Sequence, residues 1–423
     1  MKKTFLMVLI AILICAIALP ASLILTGCNK GGDSLFTSPK KESEGLEFYV
    51  NEKDSVCYLK GIGSCTDTDI LIPAEYNGYP VTRIMTSAFS GCDFVKTITV
   101  PGSVKRVESH AFSNCPTLEK AAFSEGLECL EKGIFSSCPS LTSISLPKSL
   151  KEVYTGALWG GSKNADIYYQ GELEDWCGIS FYNTAFIGDL YFNGKLVEEM
   201  SISAEAAENG KYLFANCTSL KKITIAEGTE SLAEHIFSGC SSLTSITIPD
   251  SVTKICLNAF EGCRALSDVT LSSSLKTIEG GAFSSCNITS ITLPDSLEEI
   301  GTCAFDASAL TSIEIPSGVT ELHATFQSCK SLETATLPDT LKTIGENTFG
   351  ICTKLKTVYI PSSVTKIETL AFQHCDSLTD IYFDGTLEEW FSITLERNWY
   401  SFLNNYHTLT VHCSDENYSY SYR

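Results

Sequence analysis

The chain has 423 residues, 44% of them hydrophobic, and a formal net charge of −20. This is enough apolar material for a large core, and the acidity argues against nucleic acid, whose phosphates would be repelled. The length alone would imply two or three globular domains, an expectation that an internal repeat overrides below.

Residues 1–28 read as a targeting segment. Lys2 and Lys3 precede an apolar run from Phe5 to Leu25, and the run ends in Leu25-Thr26-Gly27-Cys28. That ending resembles the lipobox of bacterial lipoprotein precursors. The resemblance implies cleavage before Cys28 and lipid on its sulfur and new amino terminus. The other reading is an uncleaved membrane anchor, because the run is long enough to span. Both readings place the rest of the chain outside the cytoplasmic membrane. Residues 29–45 are expected to form a flexible linker, rich in Gly, Ser and charge.

Residues 46–80 read as an N-terminal cap. Leu46, Phe48 and Val50 alternate, as do Val56 and Tyr58, which predicts a hairpin. A first coil strand, Ile70–Ile72, then ends at Pro73. Asn77-Gly78-Tyr79-Pro80 is a turn. Repeat coils are expected over 81–165 and 200–379.

The repeat is clearest from Cys240 to Cys263, a spacing of 23 residues. Its landmarks are Cys240, Leu243, Ile246, Ile248, Pro249, Val252, Ile255, Ala259, Phe260 and Cys263. Ile246 and Ile248 lie two apart around Thr247, which is strand periodicity. Pro249 ends the strand because it has no N–H for a ladder. Ala259 and Phe260 open a tight turn, expected to be a short helical or 3-10 piece. The Phe position holds Phe89, Phe112, Phe135, Leu158, Phe214, Phe237, Phe260, Phe283, Phe305, Phe326, Phe349 and Phe372. A period in this range marks a solenoid in which like positions stack on like. About 14 coils are expected, joined by a parallel β-ladder.

Two stretches depart from the pattern. Residues 166–199 form an aromatic insertion, and 380–423 a C-terminal cap. Asp166 to Trp176 aligns without a gap with Asp380 to Trp390, so a second, longer-range repeat interrupts the solenoid once and ends it once.

The unit C-x-x-L-x-x-I-x-[IL]-P-x-S-[VL]-x-x-I-x-x-x-A-F resembles the leucine-rich repeat of BspA-like bacterial surface proteins. The resemblance runs from about Leu46 to the end of the chain. It implies a leucine-rich-repeat solenoid, display on the cell surface and adhesion to host proteins or other bacteria, and it supplies no catalytic motif.

Chemical motifs are sparse. The cysteines recur three residues after the Phe position, pointing inward, and read as small buried hydrophobes; Cys57 and Cys65 in the cap are the pair best placed for a disulfide. The six histidines lack metal-site spacing. No G-x-S-x-G, Walker A or H-E-x-x-H motif occurs. No cofactor and no enzymatic activity is expected. The outward strand position holds Thr99, Ser145, Thr224, Thr247, Thr270, Thr292 and Thr336, a row that β propensity alone accounts for. Glu314, Tyr359 and Tyr382 depart from it and are ligand-contact candidates, because aromatics supply much hot-spot energy. Trp176 and Trp399, in the aromatic segments, are candidates for stacking on sugars or on protein side chains, the other reading being that they cover exposed core. Three functions therefore stand open: binding an extracellular protein, binding a glycan through the aromatic segments, or a passive envelope scaffold.

Overall fold

The computed structural model describes residues 41–160, 165–184, 186–401 and 408–421. The targeting segment, Cys28 and the linker up to residue 40 lie outside them. Pro39–Arg423 forms one compact unit.

Most coils carry a longer strand and a two-residue strand, and each kind stacks in parallel on its counterpart one repeat away. Ser245, Ile246 and Thr247 pair with Asp268, Val269 and Thr270. On the return side Lys254 and Ile255 pair with Thr277 and Ile278. The register is the repeat length, so Ile246 and Ile248 are buried while Thr247 faces solvent. Stacking of about fourteen such turns makes the solenoid.

The Phe position forms the spine. From Phe214 through Phe237, Phe260, Phe283, Phe305, Phe326 and Phe349 to Phe372, successive ring centroids lie 5.3 to 5.9 Å apart and the rings are stacked. All eight rings are fully buried. A second run, Phe89–Phe112–Phe135, has spacings of 5.4 and 5.7 Å.

The cysteine row has a polar duty as well as an apolar one. The Cys240 thiol donates to the Phe214 carbonyl at 3.2 Å, Cys263 to Phe237 at 3.2 Å and Cys375 to Phe349 at 3.1 Å. The same bond joins Cys115, Cys138, Cys286, Cys329 and Cys352 to the Phe one coil back. Each thiol thus fills core volume and ties its coil to the one before. The serine of the P-x-S step does likewise on the return side: Ser251 Oγ donates to the Thr229 carbonyl at 2.8 Å and Ser363 Oγ to that of Leu341 at 2.7 Å. All described cysteines are free thiols, Cys57 and Cys65 included, and both of these are buried.

The turn at the Phe position is not a continuous 3-10 piece. Single bonds from residue i to i−3 close it, such as Ala259 N to Cys256 O and Cys263 N to Phe260 O. Between them, left-handed residues stand two before and two after the Phe: Asn258 and Gly262 around Phe260, His110 and Asn114 around Phe112. A left-handed residue cannot propagate a right-handed helix, so each turn stops after one bond. His235 and His374 occupy these same turn positions, with φ of 55° and 54°.

At the N-terminus, Glu47–Asn51 and Val56–Gly61 form the expected hairpin, and Val56–Gly61 joins the return ladder beside Tyr79–Ile84. The two departures from the repeat share one architecture. In each, a strand (Asp166–Tyr169 or Asp380–Asp384) leads to a glycine and a short helix (Leu173–Cys177 or Leu387–Ser392). A capping box opens both helices, through Glu172 and Asp175 or through Thr386 and Glu389, satisfying amides that a helix start leaves unpaired. A strand on each ladder follows, and then an antiparallel hairpin closes the sheet: Leu190–Phe192 with Lys195–Leu196, or Thr408–His412 with Asn417–Ser421. The longer-strand ladder stops at the first hairpin and restarts at Glu199–Ile202.

Candidate functional site

The outward row of the longer strands is the candidate surface, and the register places it residue by residue. Near the C-terminal end it runs Glu314, Thr336, Tyr359, Tyr382, His412, each paired with the next. Three of the five predicted contact residues therefore share one row. Tyr359 and Tyr382 are 46% and 42% exposed, values high enough to make them surface rings despite their size. They stack on each other at 5.2 Å, and Tyr382 stacks on His412 at 4.5 Å. His412 Nε2 bonds Asp380 Oδ1 at 2.7 Å, and that bond, aided by Thr379, holds the Asp380 carboxyl below its usual value. The stack is thereby fixed at one end. Beside it lies a concavity of about 520 Å³, lined by Tyr359, Tyr382 and His412 with Asp339, Asp384 and Pro361.

The other two predicted residues, Trp176 and Trp399, belong to the core. Trp176 is fully buried and Trp399 is 6% exposed, so neither offers a ring face to a ligand. Trp176 packs against Tyr169, Phe181, Phe186 and Phe192, and its Nε1 donates to the Leu213 carbonyl at 3.0 Å, where the second Phe stack begins. Trp399 packs on Phe372, the last ring of that stack, and on Trp390 and Tyr420. Trp399 covers the last ring of the Phe spine and Trp176 fills the aromatic cluster of the insertion, places where large rings bury the most area. Phe402 and Tyr406 lie outside the described residues.

The strand row holds more than the sequence reading assigned to it. Ser145 is followed by Tyr168 and then Tyr191, whose rings stack at 4.5 Å. Burial pushes the Tyr168 phenol up to about 12. The signal was present, since Asp-Ile-Tyr-Tyr at 166–169 aligns with Asp-Ile-Tyr-Phe at 380–383 and sets Tyr168 opposite Tyr382. Ser145 itself is buried, and its Oγ accepts a bond from Gln170 Nε2 at 2.9 Å. Thr292 lies in a coil without a described strand at that position.

A second concavity, about 640 Å³, lies between Leu173–Cys177 and the helix Ala204–Asn209, with Glu174, Cys177, Glu205 and Lys211 on its walls. Burial pushes the Cys177 thiol up to about 11, away from reactivity at neutral pH. Among the described residues no group of three or more His, Cys, Asp or Glu is placed to hold a metal ion, and no helix is long and apolar enough to cross a membrane.

Stacked parallel coils with short turns and an aromatic strand row define a leucine-rich-repeat solenoid. The chain belongs to the family with the BspA type leucine rich repeat region, whose model matches residues 68–188, 185–309 and 277–398. Among solved structures, a leucine-rich repeat protein from Bacteroides ovatus is 24% identical, with 84% of this chain and 90% of that one covered and a TM-score of 0.54. The pneumococcal vaccine antigen PcpA is 18% identical, with 89% and 98% covered and a TM-score of 0.60. A leucine rich cell surface protein from Faecalibacterium prausnitzii is 24% identical, with 85% and 98% covered and a TM-score of 0.48. No curated protein matches the chain.

Proposed function

We propose that the chain is a non-enzymatic binding protein of the bacterial cell surface, held to the envelope by lipid on Cys28, which engages an extracellular protein of a host or a neighbouring cell. The observation that carries this reading is the exposed Tyr359–Tyr382–His412 stack on an otherwise Thr-rich strand row. Rings already ordered by stacking lose little further freedom on binding, so more of their contact energy reaches the affinity. Glu314 and Thr336 extend the row as polar rim. Membership of the BspA-type family, whose members are bacterial surface proteins, agrees with this location.

The test is binding of the purified chain to extracellular-matrix proteins. Tyr359→Ala and Tyr382→Ala should each weaken a saturable interaction about tenfold or more, the range of a hot-spot residue, while leaving the melting curve unchanged. Silence against all proteins from an intact fold would favour a passive scaffold. Cys28→Ala should release the chain from the membrane fraction; retention would overturn the lipid anchor. With Trp176 and Trp399 in the core, the glycan reading loses the residues on which it rested.

A further inference from the structure

The coil lengths shorten in one place, and the shortening leaves a groove. The turn that reads C-x-x-L in regular coils becomes Cys286-Asn287-Ile288 in one coil and Ser308-Ala309-Leu310 in the next, each lacking one residue. The coils on either side keep the full turn, Cys263-Arg264-Ala265-Leu266 and Cys329-Lys330-Ser331-Leu332. The longer-strand ladder also stops here, at Asp268–Thr270, and restarts at Ser312–Glu314. Two short turns between two full ones make a trough, and the structure has one of about 560 Å³ at this point.

Arg264, Asn287, Ala309 and Lys330 hold the same turn position on four successive coils, with Ser285, Ser328 and Ser331 beside them. No acidic side chain lines the trough, although the chain as a whole carries −20. Three rungs at about 4.8 Å put Arg264 and Lys330 about 14 Å apart at the backbone. Both side chains are exposed, and neither has an ion-pair partner among the described residues. Asp306, from the same run of turns, directs its carboxylate to the Ser284 and Ser328 hydroxyls.

We infer that this trough binds an oligosaccharide carrying two anionic groups, one for Arg264 and one for Lys330. Between the cations, the Asn287 amide and the serine hydroxyls suit sugar hydroxyls. The short side chains of Ala307 and Ala309 leave an apolar floor for the sugar C–H face. The volume of about 560 Å³ is that of a small-ligand site, too large for a simple ion, and the trough lies open to solvent, as an extended sugar chain requires. Arg264 supplies a planar fork for a carboxylate or sulfate, and Lys330 a point charge. The trough is separate from the strand-row tyrosines and does not rest on the reading given to them.

The experiment is calorimetric titration of the full-length protein with three tetrasaccharides. Hyaluronan carries carboxylates, chondroitin sulfate carries carboxylates and sulfates, and chitotetraose is neutral. Saturable binding of an anionic tetrasaccharide is expected, weakening as NaCl screens the two contacts, with chitotetraose silent. Binding by hyaluronan identifies carboxylate as sufficient; binding by chondroitin sulfate alone identifies sulfate. Arg264→Gln and Lys330→Gln should each lower affinity about tenfold, and the double variant should abolish binding. Both positions are exposed, so the fold will persist, and a melt of each variant checks it. Tyr359→Ala should leave this binding unchanged. Silence of both anionic sugars, equal binding of chitotetraose, or full affinity in the double variant would overturn the assignment.

Discussion

Gly171 provides a direct test of why the aromatic segment is core and not ligand surface. A Cβ built there would lie 2.6 Å from Tyr169 Cε1, 2.9 Å from Cζ and 3.1 Å from its hydroxyl oxygen. All three atoms belong to one side chain, and that side chain has nowhere to go. Trp176 sits edge-on to it at 5.1 Å and Phe192 at 5.9 Å, and Tyr169 is 1% exposed. Gly171→Ala therefore overpacks a filled site, at a cost of about 1–3 kcal/mol. Tyr169→Leu removes the clashing atoms but leaves a partly filled hole, at about 2 kcal/mol. If the clash is real the two do not add: the double variant should be about 1 kcal/mol or more better than the sum. Urea unfolding followed by tryptophan fluorescence reads all four proteins, with equal m-values as the check that one transition is compared. A neutral Gly171→Ala, or additivity within about 0.5 kcal/mol, would refute the packing argument and reopen the segment as a surface. Gly385 repeats the geometry, its Cβ falling 2.6 Å from Phe383 Cε1, so Gly385→Ala with Phe383→Leu should behave in the same direction.

Three further outcomes are expected. In the native protein the eight thiols bonded to Phe carbonyls should resist a disulfide reagent at pH 8, because they are buried; burial also raises Cys286 to about 12 and lifts Cys240 and Cys263 well above the ordinary value. Among the described thiols only Cys256, Cys303 and Cys413, which are partly exposed, should label readily before urea is added, and Cys177, raised to about 11 by burial, should lag behind them; rapid labelling of Cys263 would contradict the structure. Lys366 beside Glu396, with the Thr369 amide and hydroxyl, holds that carboxyl at about 2 against an ordinary 4.5. The folded state thus prefers the charged form, and the stability it contributes is full above pH 4.5 and is lost as pH falls toward 2; the stability gap between wild type and Glu396→Gln should close across that window. Trp176→Ala should cost about 3–5 kcal/mol, as for other buried aromatic truncations, measured by the same urea assay, whereas Tyr359→Ala should stay within about 0.5 kcal/mol of wild type.

The solenoid was legible because its signal is periodic. Ile246, Ile248 and Phe260 recur at fixed spacing, and stacking converts spacing directly into contact. The strand row was legible for the same reason, and Glu314, Tyr359 and Tyr382 fall on it as their register requires. For Trp176 and Trp399 the reading that they cover core is the one the structure bears out; the sequence left ligand stacking open beside it, because they lie where the period lapses and spacing no longer says which way a side chain points. The conformation of the turn was also hidden. His110, Asn114, Asn258 and Leu370 adopt positive φ without any residue type common to all of them; the tight reversal demands the conformation whatever side chain is present. The groove at Arg264 and Lys330 was half visible, in the shortened intervals at Phe305 and Phe326, but a missing residue reads as a recess only once the neighbouring coils are laid beside it.

The paired architecture at 166–197 and 380–421 gives the chain punctuation. A solenoid coil has no internal reason to be last, since each one leaves an open face that fits another like itself. Here the same device is written twice: a capped helix with a buried indole, and a hairpin that turns the sheet edge antiparallel. The first copy works as a comma, because Trp176 reaches on to the Leu213 carbonyl and a new Phe stack starts immediately beyond it. In the second copy Trp390 Nε1 turns back instead to the Tyr420 hydroxyl of its own hairpin. The two copies thus differ in what the indole N–H finds as its acceptor, a carbonyl at the start of the next array or a hydroxyl of its own hairpin. Growth or loss of whole coils on either side of the comma would leave the closing device intact, and such a chain can change length without having to invent a new end.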